Sequence, residues 1–476
     1  MTFPAHKTKI VATIGPASDS PEVLGQMIQA GMNVARLNFS HGDFSGHAGT
    51  IARVRAAAAA AGRRVAIMAD LPGPKMRIGK FSEEPVQLTP GDLFTLTTDD
   101  ITGSRQRVSV SFPQLPGSVR PGDRLFLNDG YIEIEVVRIE GPDVVCRVRV
   151  GGELRSRKGV NLPGIDLGIS AFTEHDRNCL AFALQHGVDA VSQSFVDRAG
   201  DIAAVRAAAI DLGHHPMIIA KIERSGALGR IDEILDAADG IMVARGDLGV
   251  EIPIEEMAIA QKRLMRQANL KCKPVITATQ MLESMITNRL PTRAEATDVA
   301  NAILDGTDAV MLSGESAMGR HPVDAVAMLA KIAAATEPHR SAFGPARAGE
   351  AITPGEAVPA EELIAASVEA ALRRITPATV VVPTHSGGTA RRIARFRPPV
   401  WITAVSSQEK TCQDLMFSSG VFPVRVTDHP DRWRDWCRRW RDEQHLDGRY
   451  VVLTEGPSRK HPDRNNRMEI IDLKLE

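Results

Sequence analysis

A (β/α)8 barrel interrupted by an all-β insert and followed by a smaller α/β domain is the architecture this sequence predicts. Three observations predict it. Eight short apolar runs, each closed by turn residues and followed by a helical pattern, recur through residues 9–337. Between the third and the fourth, from residue 72 to 168, the long helical patterns vanish and alternating strand patterns replace them. After a stretch rich in Ala, Gly and Pro at 338–360, a second and shorter series of strands and helices begins.

The first strand is KIVATIG (9–15), followed by the helical PEVLGQMIQAG. NVARLNF (33–39) precedes HAGTIARVRAAAAAAG, and RVAIMADL (64–71) ends at the breaker run PGP. The insert carries DLFTLTT, QRVSVSF, YIEIEVVRI and DVVCRVRV, separated by Gly, Pro and Asp. The barrel pattern resumes with DAVSQSF (189–195), MIIAKIE (217–223), GIMVARG (240–246), PVITATQ (274–280) and DAVMLSG (308–314). The C-terminal strands are ATVVVP (378–383), VWITAVS (400–406), VFPVRV (421–426), YVVLTE (450–455) and MEIIDLKL (468–475). These readings divide the chain into a barrel at 1–71 and 169–340, an inserted small β-barrel lid at 72–168, a linker at 341–360 and an α/β domain at 361–476.

Composition narrows the function classes. The 476 residues are 43% hydrophobic, enough for a sizeable core. With 57 basic and 58 acidic residues the formal net charge is -1, which argues against nucleic acid or an anionic membrane as partner. Cys146, Cys179, Cys272, Cys412 and Cys437 form no CxxC pair, so neither a disulfide framework nor a zinc site is expected. No signal-peptide core opens the chain, and no window holds the ~18 continuous apolar residues of a membrane span. The expected location is the cytoplasm.

In a barrel of this kind the functional groups gather at the C-terminal ends of the strands. Those ends hold Arg36, Asn38, Ser40 and His41 after strand two, and Asp70, Lys75 and Arg77 after strand three. Lys221 and Glu223 close strand five, and Arg245, Gly246 and Asp247 follow strand six. Thr279 and Gln280 follow strand seven; Ser313 and Glu315 follow strand eight. Two carboxylates from neighbouring strands, Glu223 and Asp247, suit a hard octahedral cation that keeps water and substrate oxygens as its other ligands. Lysine and arginine beside such a metal suit phosphoryl transfer, where catalysis is mostly positioning and charge neutralisation. Singly, each residue also fits a structural role: Lys221 with Glu223 as an ion pair, Asp247 as a turn residue, Arg36 as partner of a core-edge carboxylate. Their gathering at one mouth favours the chemical reading.

The segments TKIVATIGPAS (8–18), GMNVARLNFSHG (31–42), GVNLPG (159–164), IIAKIE (218–223), IMVARGDLGVEIP (241–253), PVITATQMLESM (274–285) and DAVMLSGESAMGRHPVDAV (308–326) resemble those of pyruvate kinases. The resemblance is close over residues 7–335 and looser beyond. It implies phosphoryl transfer from phosphoenolpyruvate to ADP, giving pyruvate and ATP, with magnesium. By motif, Arg36 would hold the substrate phosphate, and Lys221 would neutralise the phosphoryl group in flight and the developing enolate. Glu223 and Asp247 would bind magnesium. Gly246 and Thr279 would receive the substrate carboxylate, and Thr279 would orient the proton delivered to the enolate carbon. Asn38, His41, Arg77 and Lys158 would serve the nucleotide, and the insert would act as a lid. A homotetramer is implied by resemblance alone.

One departure stands out. Many members carry a threonine and a glutamate after the strand-three aspartate and bind potassium; here the segment is Asp70-Leu71-Pro72-Gly73-Pro74-Lys75. It resembles the potassium-independent members: Asn38, Ser40 and Asp70 would contact the Lys75 ammonium in place of the cation. The alternative is a Lys75 pointing to solvent on a hinge. In the C-terminal domain, Thr384, Ser386, Gly387, Gly388 and Thr389 form a hydroxyl-rich strand-to-helix turn that resembles the family's effector loop and suits a phosphorylated effector; an ordinary helix cap is the other reading. Arg459, Lys460, Arg464 and Arg467 could touch an anionic effector or be a solvated face. Trp433, Trp436 and Trp440 share one helix face, expected as core or subunit contact. The rivals to the kinase reading are another phosphoenolpyruvate-handling barrel and a catalytically inactive effector-binding homologue.

Overall fold

The computed structural model describes residues 3–165, 168–340, 358–428, 430–457 and 465–475. Most of the expected linker (341–357) lies outside the described residues, as do Arg459, Lys460 and Arg464.

The chain opens with β1 (Lys9–Thr13), β2 (Val34–Asn38) and β3 (Ala66–Leu71). The insert follows: β4 (Val86–Leu88), β5 (Leu93–Thr97), β6 (Arg107–Ser109), β7 (Arg124–Leu127), β8 (Ile132–Glu140), β9 (Asp143–Val150), β10 (Gly152–Leu154) and β11 (Val160–Asn161). Then come β12 (Ala190–Gln193), β13 (Met217–Ile222), β14 (Gly240–Ala244), β15 (Val275–Ala278) and β16 (Ala309–Leu312). β1–β3 and β12–β16 are parallel and close into an eight-stranded barrel, so the eight expected strands all form and the insert stands on the loop after the third. The insert is a six-stranded sheet in the order β11-β7-β8-β9-β5-β6 with β10 and β4 as a separate pair, all packed on one core that includes Phe94, Leu125 and Ile134.

Alternation along the barrel strands sorts the side chains between two environments. Ile218, Ala220 and Ile222 of β13 face outward onto the surrounding helices, whereas Met217 and Ile219 fill the interior. The helices begin where the sequence offers caps. The Ser20 hydroxyl accepts from the Val23 N–H ahead of Pro21, and reciprocal capping boxes join Thr173 to Asp176 and Thr292 to Glu295. No helix among the described residues is long and apolar enough to cross a membrane.

The third region forms β17 (Val380–Pro383), β18 (Ile402–Ser406), β19 (Val421–Arg425), β20 (Tyr450–Glu455) and β21 (Arg467–Asp472). They form one sheet in the order β19-β18-β17-β20-β21, parallel except for the last pair. The three tryptophans form one run of ring contacts, Trp433 with Trp436 at 5.6 Å and Trp436 stacked on Trp440 at 5.5 Å; Trp433 is buried and donates to Glu455 at 3.0 Å, and Trp440 donates to Thr403 at 3.1 Å and packs near Phe422 and Phe3.

This domain seals the underside of the barrel. Met416 and Phe417 join the cluster formed by Val34, Ala66, Ala190, Met217 and Ala309, each the first residue of its strand. Polar contacts fix the same junction. Arg397 donates to both Asp308 oxygens at 2.8 and 2.9 Å, and Lys9 donates to the Val421 carbonyl at 2.7 Å. Phe417 is fully buried. Phe417→Ala is expected to cost about 3–5 kcal/mol through the lost burial and the cavity left behind. The measurement is a urea unfolding curve; an unchanged midpoint would show that the junction does not depend on this ring.

Candidate active site

The alternation that fills the barrel interior with apolar residues carries charged ones to the opposite mouth. On β13 the inward series Met217, Ile219, Lys221 continues to Glu223 just past the strand. On β2 it runs Val34, Arg36, Asn38; on β3, Ala66, Met68, Asp70; on β12, Ala190, Ser192 and then Ser194. Neighbouring registers bring these ends together: Arg36 lies opposite Met68, Asn38 opposite Asp70, and Ser192 opposite Asp70.

The result is one buried polar network. Arg36 donates through Nε to Asp70 Oδ2 at 2.8 Å and through Nη1 to the Thr13 hydroxyl at 2.8 Å. Ser192 donates to Asp70 Oδ1 at 2.7 Å. The Lys221 ammonium lies 2.9 Å from Glu223 Oε1 and 3.3 Å from Asp70 Oδ1, and donates to Ser194 Oγ at 2.7 Å. The Ser194 hydroxyl in turn donates to the Leu71 carbonyl at 2.7 Å. The second Glu223 oxygen accepts the Phe195 N–H at 2.8 Å. Asp70 is 1% exposed, Glu223 2%, Arg36 8% and Lys221 9%. Burial of this depth makes ionisation costly unless each charge has a partner.

The titration of the network follows from those partners. Burial alone would raise the Asp70 carboxyl, but Lys221 and Arg36 outweigh it and hold it below its usual value. Burial would lower Lys221; Asp70 and Glu223 outweigh it and keep the ammonium charged. Glu223 goes the other way: burial raises it, Asp247 raises it further, and Lys221 compensates only in part. Two carboxylates that repel one another in a buried setting define a place for a cation. The buried Glu223 and the half-buried Asp247 could hold a divalent ion that takes its remaining ligands from water or substrate.

The loops around the network are tightly constrained. Thr279 and Gln280 have φ of 72° and 55°, a sparsely populated region and a strained one for a β-branched residue. Arg245 holds that turn, donating to the Thr279 carbonyl at 2.9 Å and pairing with Asp298 at 2.6 Å. Gly246 must lack a side chain, since a Cβ there would sit 2.7 Å from Thr279 Cγ2. Glu315 accepts the backbone N–H groups of Leu282 at 3.1 Å and Ser313 at 2.7 Å, a structural tie between two loops.

The nucleotide candidates sit where the insert joins the barrel. Asn38 is half-buried and accepts the Ser40 N–H at 3.2 Å; His41 is exposed. Partial burial and then the charges of Arg77, Lys75 and Arg36 pull the His41 imidazole below its usual value, so these cations share one neighbourhood. Arg77 donates to the Arg157 carbonyl at 3.1 Å, beside the half-buried Lys158. Lys75 is exposed, and its ammonium makes no hydrogen bond or ion pair among the described residues. In this structure it therefore does not touch Asn38, Ser40 or Asp70, and the Asp70 oxygens are taken by Arg36, Ser192 and Lys221. In the C-terminal turn the Thr384 hydroxyl accepts the Gly387 N–H at 2.9 Å, and Gly387 has φ of 82°. Ser386 is exposed, and Gly388 and Thr389 open the helix Gly388–Ala394.

The sequence reading did not single out Thr13, Ser192 or Ser194, although each closes part of the network. Counting alternate positions back from each strand end would have found them.

A closed parallel barrel whose C-terminal mouth buries two cations against two carboxylates, with a third carboxylate alongside, defines a barrel enzyme acting on an anionic substrate. Comparison with known proteins supplies the family. The family description "Pyruvate kinase, barrel domain" matches residues 5–326, and "Pyruvate kinase, alpha/beta domain" matches residues 361–471. A pyruvate kinase of Thermococcus litoralis is 51% identical over 427 residues, covering 89% of each chain. One from Corynebacterium efficiens is 43% identical over 95% of each chain, and one from Geobacillus stearothermophilus is 45% identical over 88% of this chain and 71% of its own. The chain belongs to the pyruvate kinase family, whose members are phosphotransferases that generally use magnesium.

Proposed function

We propose that this protein transfers the phosphoryl group of phosphoenolpyruvate to ADP, yielding pyruvate and ATP, at the barrel mouth lined by Arg36, Asp70, Lys221 and Glu223. The buried Lys221 ammonium, held between two carboxylates at 2.9 and 3.3 Å, carries the reading. Arg36 binds the substrate phosphate in exchange for part of its contact with Asp70. Lys221 keeps a fixed positive charge beside the transferring group and the enolate oxygen, where a dry surrounding makes it effective. The N–H of Gly246 and the Thr279 hydroxyl receive the substrate carboxylate, and Thr279 orients the water that protonates the enolate carbon. Magnesium bound at Glu223 and Asp247 would supply charge neutralisation for the carboxylate and enolate oxygens. Asn38, His41, Arg77 and Lys158 serve the nucleotide, and the insert excludes water when it closes. The test is pyruvate formation from phosphoenolpyruvate and ADP, followed by a coupled assay with magnesium present; no pyruvate from folded protein would end the proposal.

The departure at Lys75 supports a finer reading. Lys75, which follows the hinge Pro72–Pro74, near His41, and has no hydrogen-bond or ion-pair partner among the described residues, can bring its charge to the substrate phosphate as the insert closes. It would then stand beside Asn38, Ser40 and Asp70 in place of potassium. Full activity is expected in sodium or tetramethylammonium buffer, and Lys75→Glu is expected to give low activity that potassium partly restores. A strong potassium requirement in the unmodified enzyme would refute this.

The hydroxyls and N–H groups of Thr384, Ser386, Gly387, Gly388 and Thr389 suit a phosphorylated effector that shifts substrate affinity. Ser386→Ala and Thr389→Ala are expected to abolish activation by such a metabolite; a substrate saturation curve unmoved by any sugar phosphate or nucleoside monophosphate counts against it. A homotetramer follows from the family resemblance and is read by sedimentation. A cytoplasmic location fits the five cysteines, all free.

A further inference from the structure

The turn after β15 is held in a backbone conformation that its own residues disfavour. Thr279 and Gln280 are two consecutive left-handed residues, the first of them β-branched and neither a glycine. Such a backbone persists only where its surroundings over-determine it.

Here the surroundings centre on one guanidinium. Arg245 opens the helix Arg245–Glu251, and the residue before it, Ala244, lies in register with Ala278. Its Nε donates to the Ala278 carbonyl at 3.3 Å and its Nη2 to the Thr279 carbonyl at 2.9 Å. Asp298, from the helix Arg293–Leu304, grips the outer edge of the same group, with Nη1 to Oδ1 at 2.7 Å and Nη2 to Oδ2 at 2.6 Å. Nη1 also donates to Gln261 Oε1 at 3.4 Å, and the Met281 sulfur lies against Nη2. A planar fork of five donors can meet this set; an ammonium cannot. The Arg245 side chain is 12% exposed, so water competes little for these acceptors. On the other side, Gly246 packs so closely that any Cβ there would strike Thr279 Cγ2. The Thr279 backbone and side chain are thus pinned from two directions, while its hydroxyl makes no hydrogen bond among the described residues.

We infer that Arg245 is a positioning residue for protonation of the enolate carbon, acting by aiming the Thr279 hydroxyl, with Asp298 holding the guanidinium in place. Its N–H groups are all committed to the turn, Gln261 and Asp298, so it touches none of the reacting atoms. The inference rests on the reaction proposed above. There the phosphoryl group leaves the enol oxygen for ADP, and the enolate carbon then gains a proton from the water that Thr279 orients. The two steps use different groups, so a fault in this turn slows the second more than the first.

The reverse of the proton step removes a methyl proton from bound pyruvate. Exchange of pyruvate methyl protons into D2O, followed by NMR with ATP and magnesium present, therefore reads that step alone. ATP formed in the first turnover from phosphoenolpyruvate and ADP, by rapid quench, reads phosphoryl transfer. Arg245→Met is expected to slow the exchange by about 10²-fold, the cost of misplacing a reacting group by ~1 Å, with first-turnover ATP changed far less and the KM for ADP unchanged. Asp298→Asn keeps the Arg245 charge but loosens its hold, and is expected to slow the exchange roughly tenfold, the value of one charge-assisted hydrogen bond. It decides the matter should Arg245→Met fail to fold, and it separates aiming from a direct effect of the charge on substrate, which it would leave intact. In a Thr279→Ala background Arg245→Met is expected to add little, because residues that act as a unit are not additive. Exchange undiminished in Asp298→Asn, first-turnover ATP falling as far as exchange in Arg245→Met, or a full further loss on top of Thr279→Ala would each overturn the assignment. An unmodified protein that forms no ATP from phosphoenolpyruvate and ADP is a separate failure: it ends the proposed reaction and this inference with it.

Discussion

Lys221→Met is expected to lower turnover by roughly 10²–10³-fold, the range found when one preorganised charge is removed from a dry site. The side chain is 9% exposed and contacts Ser194, Asp70 and Glu223 at once, so no water can take over its role in place. The loss is expected in kcat more than in the substrate KM, because Arg36 still holds the phosphate before transfer. Removing the ammonium also leaves Glu223 without its cation partner and Asp70 with Arg36 alone, and breaking a buried ion pair costs about 3–5 kcal/mol. Lys221→Arg separates the two effects. It keeps the charge and the fold but moves the charge centre, so it should be stable and still strongly impaired. Near-normal steady-state turnover in Lys221→Met would sink the role assigned to this residue.

Glu223→Gln and Asp247→Asn should each raise the magnesium needed for half-maximal rate by about tenfold and lower the rate at saturation, since each removes one charged oxygen ligand. The raised pKa of Glu223 adds a pH signature. Its cause is burial first, then Asp247, against a partial opposition from Lys221. A metal ligand must be deprotonated. As the pH falls through the raised value, the Glu223 carboxylate takes up a proton and the magnesium requirement of the unmodified enzyme climbs. As the pH rises above it, the requirement levels off. Glu223→Gln has no proton to exchange there, so its requirement should be high and far flatter with pH. Magnesium titrations at several pH values check both points. A curve identical to that of the unmodified enzyme would remove Glu223 from the metal site.

Much of the catalytic mouth was legible because a strand has period two. Once MIIAKIE is read as a barrel strand, Met217, Ile219, Lys221 and Glu223 must share a face, and the charged end of that face must lie at the C-terminal mouth. The same count places Arg36 on β2 and Asp70 on β3. Ser192 and Ser194 obey the identical rule, yet a serine in an apolar strand carries no chemical signal until its partners are known. Each became meaningful only when the network showed one binding Asp70 and the other Lys221.

Other features were beyond any local rule. Nothing in LMFSSG tells that Met416 and Phe417 close the barrel from below; that contact joins residues hundreds of positions apart and depends on how two finished domains meet. The pairing of Arg397 with Asp308 is likewise invisible in sequence, because it joins two domains whose meeting no local pattern specifies. Lys75 marks the same boundary from the other side. The order Asp70-Leu71-Pro72-Gly73-Pro74-Lys75 announces a charge beside the site, but the loop's path left it exposed and short of Asp70. The sequence by itself determined the strands, their alternation and hence which charged residues share the mouth, since period and chain order are local properties. Only the tertiary structure decided which charges neutralise one another and where the domains meet, since pairing and burial are set by distances between segments that the chain order does not specify.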